Sequence, residues 1–254
     1  MRRLALAGLA VLSLGVAAAG ARAAETSAPP KQQWSFDGIF GTFDQGALQR
    51  GFQVYKEVCS ACHAMSLMAY RHLGAIGFSE DQVKAIAATV QVTDGPNDEG
   101  EMFERPGRPS DRFKAPFPNE KAARAANSGA YPPDLSVITK ARAGGADYVY
   151  AILTGYGAAP ADFKLQEGMS YNEYFPDHQI AMPQPLTGDG QVEFADGTKA
   201  TVPQMAHDLA TFLSWAAEPK LEARKHMGVK VILFLIALTL MLYAVKRKVW
   251  AGVH

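Results

Sequence analysis

Apolar positions along the chain fall into three patterns. Residues 4–19 and 231–245 are nearly continuous apolar runs. Between them, apolar residues recur at helical spacing in two places. Leu48, Phe52 and Tyr55 stand at i, i+4 and i+7 behind Asp44, a good N-cap. This spacing predicts a helix over 44–58 with one apolar face. Gly51, beside Phe52, would let a second helix approach closely. Further on, Met205, Leu209, Phe212 and Ala216 share a face, and Thr201 with Gln204 fits a capping box, with Pro203 inside the helix start. That second helix is expected to pack on the first. Residues 192–202 read as a β-hairpin around Asp196-Gly197. Residues 93–118, rich in Pro, Gly and charge, read as an inserted surface loop. The chain has no internal repeats.

The two apolar runs have different flanks. Arg2 and Arg3 precede the first, and Ala21-Arg22-Ala23 follows it as a small-x-small site, so residues 1–23 read as a secretory signal. The second run, taken back to Met227, gives residues 227–245, close to the ~20 residues that a spanning helix needs. Lys230 can snorkel from its end, and Lys246, Arg247, Lys248 and Trp250 follow at once. A basic cluster marks the cytoplasmic side of a membrane, and Trp suits its interface. The expected layout is an exported, periplasmic body over 24–226, a single transmembrane anchor over 227–245 and a short cytoplasmic tail over 246–254.

Charge sharpens this picture. Acidic and basic residues balance at 25 each. All the acidic ones lie in the body, whereas Arg2, Arg3, Arg22, Lys230, Lys246, Arg247 and Lys248 lie outside it. The body is therefore net acidic, which excludes nucleic acid as a natural partner and suits a basic protein.

The chain has two cysteines, and their spacing carries chemistry. Cys59-Ser60-Ala61-Cys62-His63 is the C-x-x-C-H attachment signature of a c-type haem. Two intervening residues let one turn of chain present both sulfurs to one porphyrin edge, and the next imidazole reaches the iron. A thioredoxin-like pair would need a βαβ context, and a zinc site would need a second pair of ligands. One covalently bound haem c is the cofactor expected.

Candidates for the opposite axial position are His72, His178 and His207 and several methionines. Met65 and Met68 are too close to His63 to reach the far haem face, and Met205 belongs to a predicted core face. Met182 stands out, because Pro176, Pro183 and Pro185 stiffen an extended loop around it. His178, four residues earlier, is its rival. A His–Met pair raises the potential relative to bis-His and fills both axial positions. Such a site moves electrons and does not activate oxygen.

With these residues in view, the chain resembles cytochrome c1, the haem subunit of the cytochrome bc1 complex, in its alphaproteobacterial form. The resemblance runs through WSFDGIFGTF (34–43), YKEVCSACH (55–63), ARAAN (123–127), PPDLS (132–136), GGADYV (144–149), LTGY (153–156), residues 171–186 and FLSWAAEP (212–219). It implies a mainly α fold: a c-type cytochrome domain with long loop insertions and a small β-hairpin, plus one C-terminal transmembrane helix. It implies Cys59, Cys62, His63 and Met182 as haem-binding residues, with His63 and Met182 on the iron. It also implies Arg124 on a haem propionate, where a guanidinium fork suits a carboxylate, and Pro133 lining the proximal side. Two departures stand out. His72 follows Tyr70-Arg71, where the family commonly has an acidic residue, and the extra cysteine pair of some bacterial members is missing.

The function so implied is not enzymatic on its own. The subunit would pass single electrons from the Rieske iron–sulfur subunit to a soluble cytochrome c, beside cytochrome b in a dimeric complex of the cytoplasmic membrane. Asp94, Asp98, Glu99, Glu101 and Glu104 would help dock that basic acceptor. The competing readings are a haem enzyme or sensor with an open axial position, and a free-standing tethered carrier.

Overall fold

In a computed structural model, residues 27–253 are described; the segment 1–23, read above as a secretory signal, lies outside them. The first predicted helix is present as α1, Gln45–Glu57, and Asp44 caps it by accepting the Ala47 N–H at 2.7 Å. Its buried face includes Leu48, Phe52 and Tyr55, as the spacing requires. The chain continues through α2 (Glu80–Ala88), the strands β1 (Gln91–Asp94) and β2 (Phe103–Pro106), α3 (Glu120–Ala126) and α4 (Gly145–Thr154). The short strands β3 (Ser170–Tyr171) and β4 (Gln179–Ile180) come next, then α5 (Val202–Ala217) and α6 (Leu221–Trp250). The fold is mainly helical, with two small two-stranded antiparallel sheets.

The core is organised by α1 packed against α5, with α4 also packed on α5. Gly51 makes this crossing possible: a Cβ there would lie 2.0 Å from the Asp208 carbonyl oxygen of α5. The seam is filled by Phe52, Tyr55 and Phe212, with ring centroids about 6 Å apart. A charged clamp closes its edge. Arg50 donates to both oxygens of the fully buried Asp208, at 2.7 and 3.2 Å, and to Asp196 at 2.7 Å. Removing one partner of such a buried pair costs about 3–5 kcal/mol. Elsewhere, the Asp147 carboxylate of α4 accepts from Trp34 Nε1 at 2.8 Å and from the Gln32 N–H at 3.0 Å. Trp34 stacks on His207 of α5, so the segment before α1 straps α4 and α5 together.

Three local expectations change. Residues 192–202 form a turn at Ala195-Asp196, closed by the Gly197 N–H donating to the Phe194 carbonyl at 3.1 Å, but no ladder. Side chains of α1 take the polar groups that pairing would need: Gln53 donates to the Glu193 carbonyl at 2.8 Å, and Arg50 holds Asp196. Val192 and Phe194 are buried instead. The small hairpin instead overlaps the start of the stretch read as loop, where β1 pairs with β2 from Gln91↔Pro106 to Asp94↔Phe103. Arg105 there is held between Asp94 and Asp111. At α5, Thr201 accepts from the Gln204 N–H at 3.2 Å, but the Gln204 side chain turns to Asp208 instead of completing the box.

Helix α6 runs 30 residues with no buried side chains. At 1.5 Å per residue it is about 45 Å long, and its apolar central part can cross a bilayer. Contacts with the body lie near its start. Glu222 accepts from the Phe43 N–H at 2.8 Å, and Lys225 donates to the Phe36 and Gly41 carbonyls.

Candidate haem site

The C-x-x-C-H motif lies directly after α1, where the helix tightens into a 3-10 turn over Cys59–Ala61. The Cys62 and His63 N–H groups both donate to the Cys59 carbonyl, at 3.1 and 2.9 Å. Ser60 Oγ donates back to the Lys56 carbonyl at 2.7 Å, and Tyr55 OH donates to the His63 carbonyl at 3.2 Å. Cys59 is buried and Cys62 exposed. Burial, reinforced by Cys62, pushes the Cys59 thiol up to about 12. A thiol so placed is a poor thiolate at neutral pH, unlike the low-pKa thiol of a redox nucleophile. It can form a neutral thioether.

His63 is oriented from a distant segment. Its Nδ1–H donates to the Pro133 carbonyl at 2.8 Å, which directs Nε2 away as a ligand lone pair. Burial holds this imidazole below its ordinary pKa, outweighing the Pro133 and Asp134 contributions, so it stays neutral and able to coordinate. The Pro133 segment is itself wired to the motif. Asp134 accepts from the Ser66 and Ser136 N–H groups, both at 2.8 Å. Ser136 Oγ accepts from the Leu67 N–H at 3.1 Å, and the Leu135 N–H donates to the Ala64 carbonyl at 2.9 Å. Asp134 and Ser136 were not singled out in the sequence. Asp134-x-Ser136 is an Asx-type turn, and that local signal could have marked the pair.

The remaining candidates separate by their neighbours. Met65, Met68 and Met205 are core residues. His72 accepts the Ala69 N–H on Nδ1, and His207 stacks on Trp34. His178 has Nδ1 at 2.9 Å from the Glu173 carbonyl and its ring stacked on Tyr171. Met182 is half-buried, and its carbonyl accepts from Tyr156 OH at 3.0 Å. Arg124, exposed at the end of α3, bonds Glu120 and the Gly129 carbonyl and lies 5.4 Å over the Tyr131 ring. Among the described residues, no hydrogen bond or ion pair joins Arg124 or Met182 to the Cys59–His63 turn.

The sequence model of the Cytochrome C1 family matches residues 34–253. The chain belongs to the cytochrome C1 family. It is 51% identical over 239 residues to the cytochrome c1 of Rhodospirillum rubrum, covering 88% of each chain. It is 51% identical to the mitochondrial heme protein cytochrome c1 1 of Arabidopsis thaliana, over 98% of this chain and 81% of that one. The cytochrome b/c1 of Bradyrhizobium diazoefficiens is 50% identical over 99% of this chain, which spans only 41% of that protein's length. The donor set of this cytochrome C1 family member suits a haem c: two thiols one turn apart, then an imidazole with Nδ1 already engaged. Close in sequence to His63 and Pro133, large apolar side chains are exposed: Leu67 56%, Tyr131 49% and Val137 41%. They offer the surface that an apolar macrocycle covers.

Proposed function

We propose that this chain is the haem-bearing, membrane-anchored electron-transfer subunit of a quinol–cytochrome c oxidoreductase. The observation that carries this is the 2.8 Å bond from His63 Nδ1 to the Pro133 carbonyl, which orients the imidazole of a haem-attachment motif from another part of the fold. Cys59 and Cys62 would hold one haem through thioethers, and the haem, when bound, supplies a one-electron couple. His63 Nε2 would take the proximal position and the Met182 sulfur the distal one. Two such protein donors on the iron would exclude small molecules from it. Arg124 would meet a propionate by exchanging its exposed Glu120 pairing for the new carboxylate.

One electron would arrive from a Rieske iron–sulfur subunit and leave to a soluble c-type cytochrome, with cytochrome b alongside in a dimeric complex. Export of the body, with the basic tail of α6 left inside, puts the haem on the periplasmic side. Purification of the membrane complex through its haem absorbance should bring down a b-type cytochrome, and mass spectrometry should show one tetrapyrrole added to the processed chain. Ready carbon monoxide binding to the reduced protein at neutral pH would count against this function, since it requires an open axial position.

The acceptor's docking can be tested separately. Asp94 is spent on Arg105, which leaves Asp98, Glu99 and Glu101 exposed around the β1–β2 connection. Reversing these three charges should slow electron transfer to a basic cytochrome at low salt and have little effect at high salt. Equal rates at low ionic strength would remove this docking role.

A further inference from the structure

The segment before α1 carries an apolar tip that the haem site does not use. Residues 35–42 form a closed loop: the Thr42 N–H donates to the Ser35 carbonyl and the Asp37 N–H to the Trp34 carbonyl, both at 3.0 Å. Gly41 permits the closure, since a Cβ there would lie 1.9 Å from the Asp37 carbonyl oxygen. At the tip, Ile39 and Phe40 are 66% and 83% exposed. The loop lies along the start of α6 in a defined sense. Phe43 bonds Glu222, and Gly41 bonds Lys225 one turn further on. The loop therefore runs antiparallel to α6, and residues 40 and 39 continue toward the apolar part of that helix. Lys225 precedes Val231 by six residues, about 9 Å along the axis.

We propose that Ile39 and Phe40 insert into the headgroup–acyl boundary of the bilayer, giving the body a second membrane contact beside α6. The occupant is lipid because the tip continues the surface of a helix none of whose apolar side chains is buried. Two bulky apolar residues on a closed loop form the kind of wedge that the boundary accepts. The Lys225 and Glu222 bonds join this wedge to the anchor, so two points of contact would limit how far the body tilts about α6.

The proposal rests on α6 being a membrane anchor, and the test separates the two. Nitroxide labels are placed at Phe40→Cys, at Asp98→Cys as a water reference and at Leu235→Cys as a lipid reference. The full-length haem-loaded chain, whose own thiols are in thioethers, is set in phosphatidylcholine–phosphatidylglycerol nanodiscs. Electron paramagnetic resonance saturation then compares collisions with oxygen and with a water-soluble nickel chelate. Position 40 is expected to favour oxygen, as 235 does, and 98 to favour nickel. Ile39→Cys should repeat the result if the label at 40 disturbs the loop. A water-like signal at both 39 and 40, with 235 in lipid, overturns the wedge and leaves the anchor standing. A water-like signal at 235 overturns the anchor and the wedge with it. Shielding of 39 and 40 only when a b-type cytochrome is present would assign the tip to a protein partner and overturn the lipid assignment.

Discussion

Around His63, hydrogen bonds at 2.8–3.1 Å join two distant segments, residues 63–67 and 133–136. Around Met182, the backbone is reached by the Tyr156 hydroxyl, and other restraint comes from Pro183, Pro185 and the buried Leu186. The His63 turn is held by several long-range bonds, and the residues around Met182 by one such bond and by local stiffness. The wired turn is preorganised before any ligand arrives, so damage to it should appear as lost stability. The stiffened segment holds a half-buried side chain in a self-supporting loop, so damage there should appear in the chemistry while the fold survives.

Met182→Leu should therefore give the largest functional effect with the smallest structural one. Circular dichroism and expression should match the parent chain. The reduced haem should bind carbon monoxide, and the potential should fall by on the order of 0.2 V, within the ~0.8 V range that axial ligands control. If spectrum and potential stayed unchanged, the distal face would have to be rebuilt around another residue, with His178 first in line.

Asp134→Ala attacks the wired turn. It leaves the Ser66 and Ser136 N–H groups without their acceptor, at about 1–3 kcal/mol each if they find no water. Thermal or urea unfolding should show a loss of about 2–4 kcal/mol, partly recovered by Asp134→Asn. The pH dependence has a defined sign. Burial pushes the Asp134 pKa up, but the Ser136 and Ser66 hydrogen bonds outweigh it and hold the carboxyl below its ordinary value. Its contribution should be fully present above the unfolded-state value of about 4 and be lost as pH falls through the lowered folded-state value. The gap between parent and variant should therefore close in acid. A constant gap from pH 7 to pH 3 would show that the carboxylate charge does not hold these segments together.

The same contrast explains what could be read before any fold was known. Asp44, Gly51 and the Leu48–Phe52–Tyr55 face each carry a local signal with a single physical meaning, and α1 and its crossing partner are where those signals put them. The Cys59–His63 motif is likewise local. Residues 192–202 show the limit: the chain does turn, at Ala195-Asp196, but a ladder needs backbone partners, and Gln53 and Arg50 occupy that edge. The β1–β2 hairpin is set by Arg105 reaching both Asp94 and Asp111, a pairing that no alternation of apolar residues announces. Pro133 illustrates the same point within the site, since its carbonyl acts only once the fold brings it to a ring 70 residues away in the chain.

Tyr156→Phe probes the weakest element of the comparison. It removes the hydroxyl that donates to the Met182 carbonyl and leaves the ring, which is half-buried, in place. A single neutral hydrogen bond of this kind contributes about 1 kcal/mol. The freed carbonyl lies on a partly exposed loop where water can replace the hydroxyl, so the stability change should sit at or below that figure. The loop's prolines still limit its excursions, and Met182 should keep its place in most molecules. The expected signature is a small rise in carbon monoxide binding to the reduced haem, far short of that in Met182→Leu, with near-parental stability. If Tyr156→Phe instead matched Met182→Leu, the proline-rich loop would not be self-supporting, and the Met182 loop, like the His63 turn, would depend on long-range wiring.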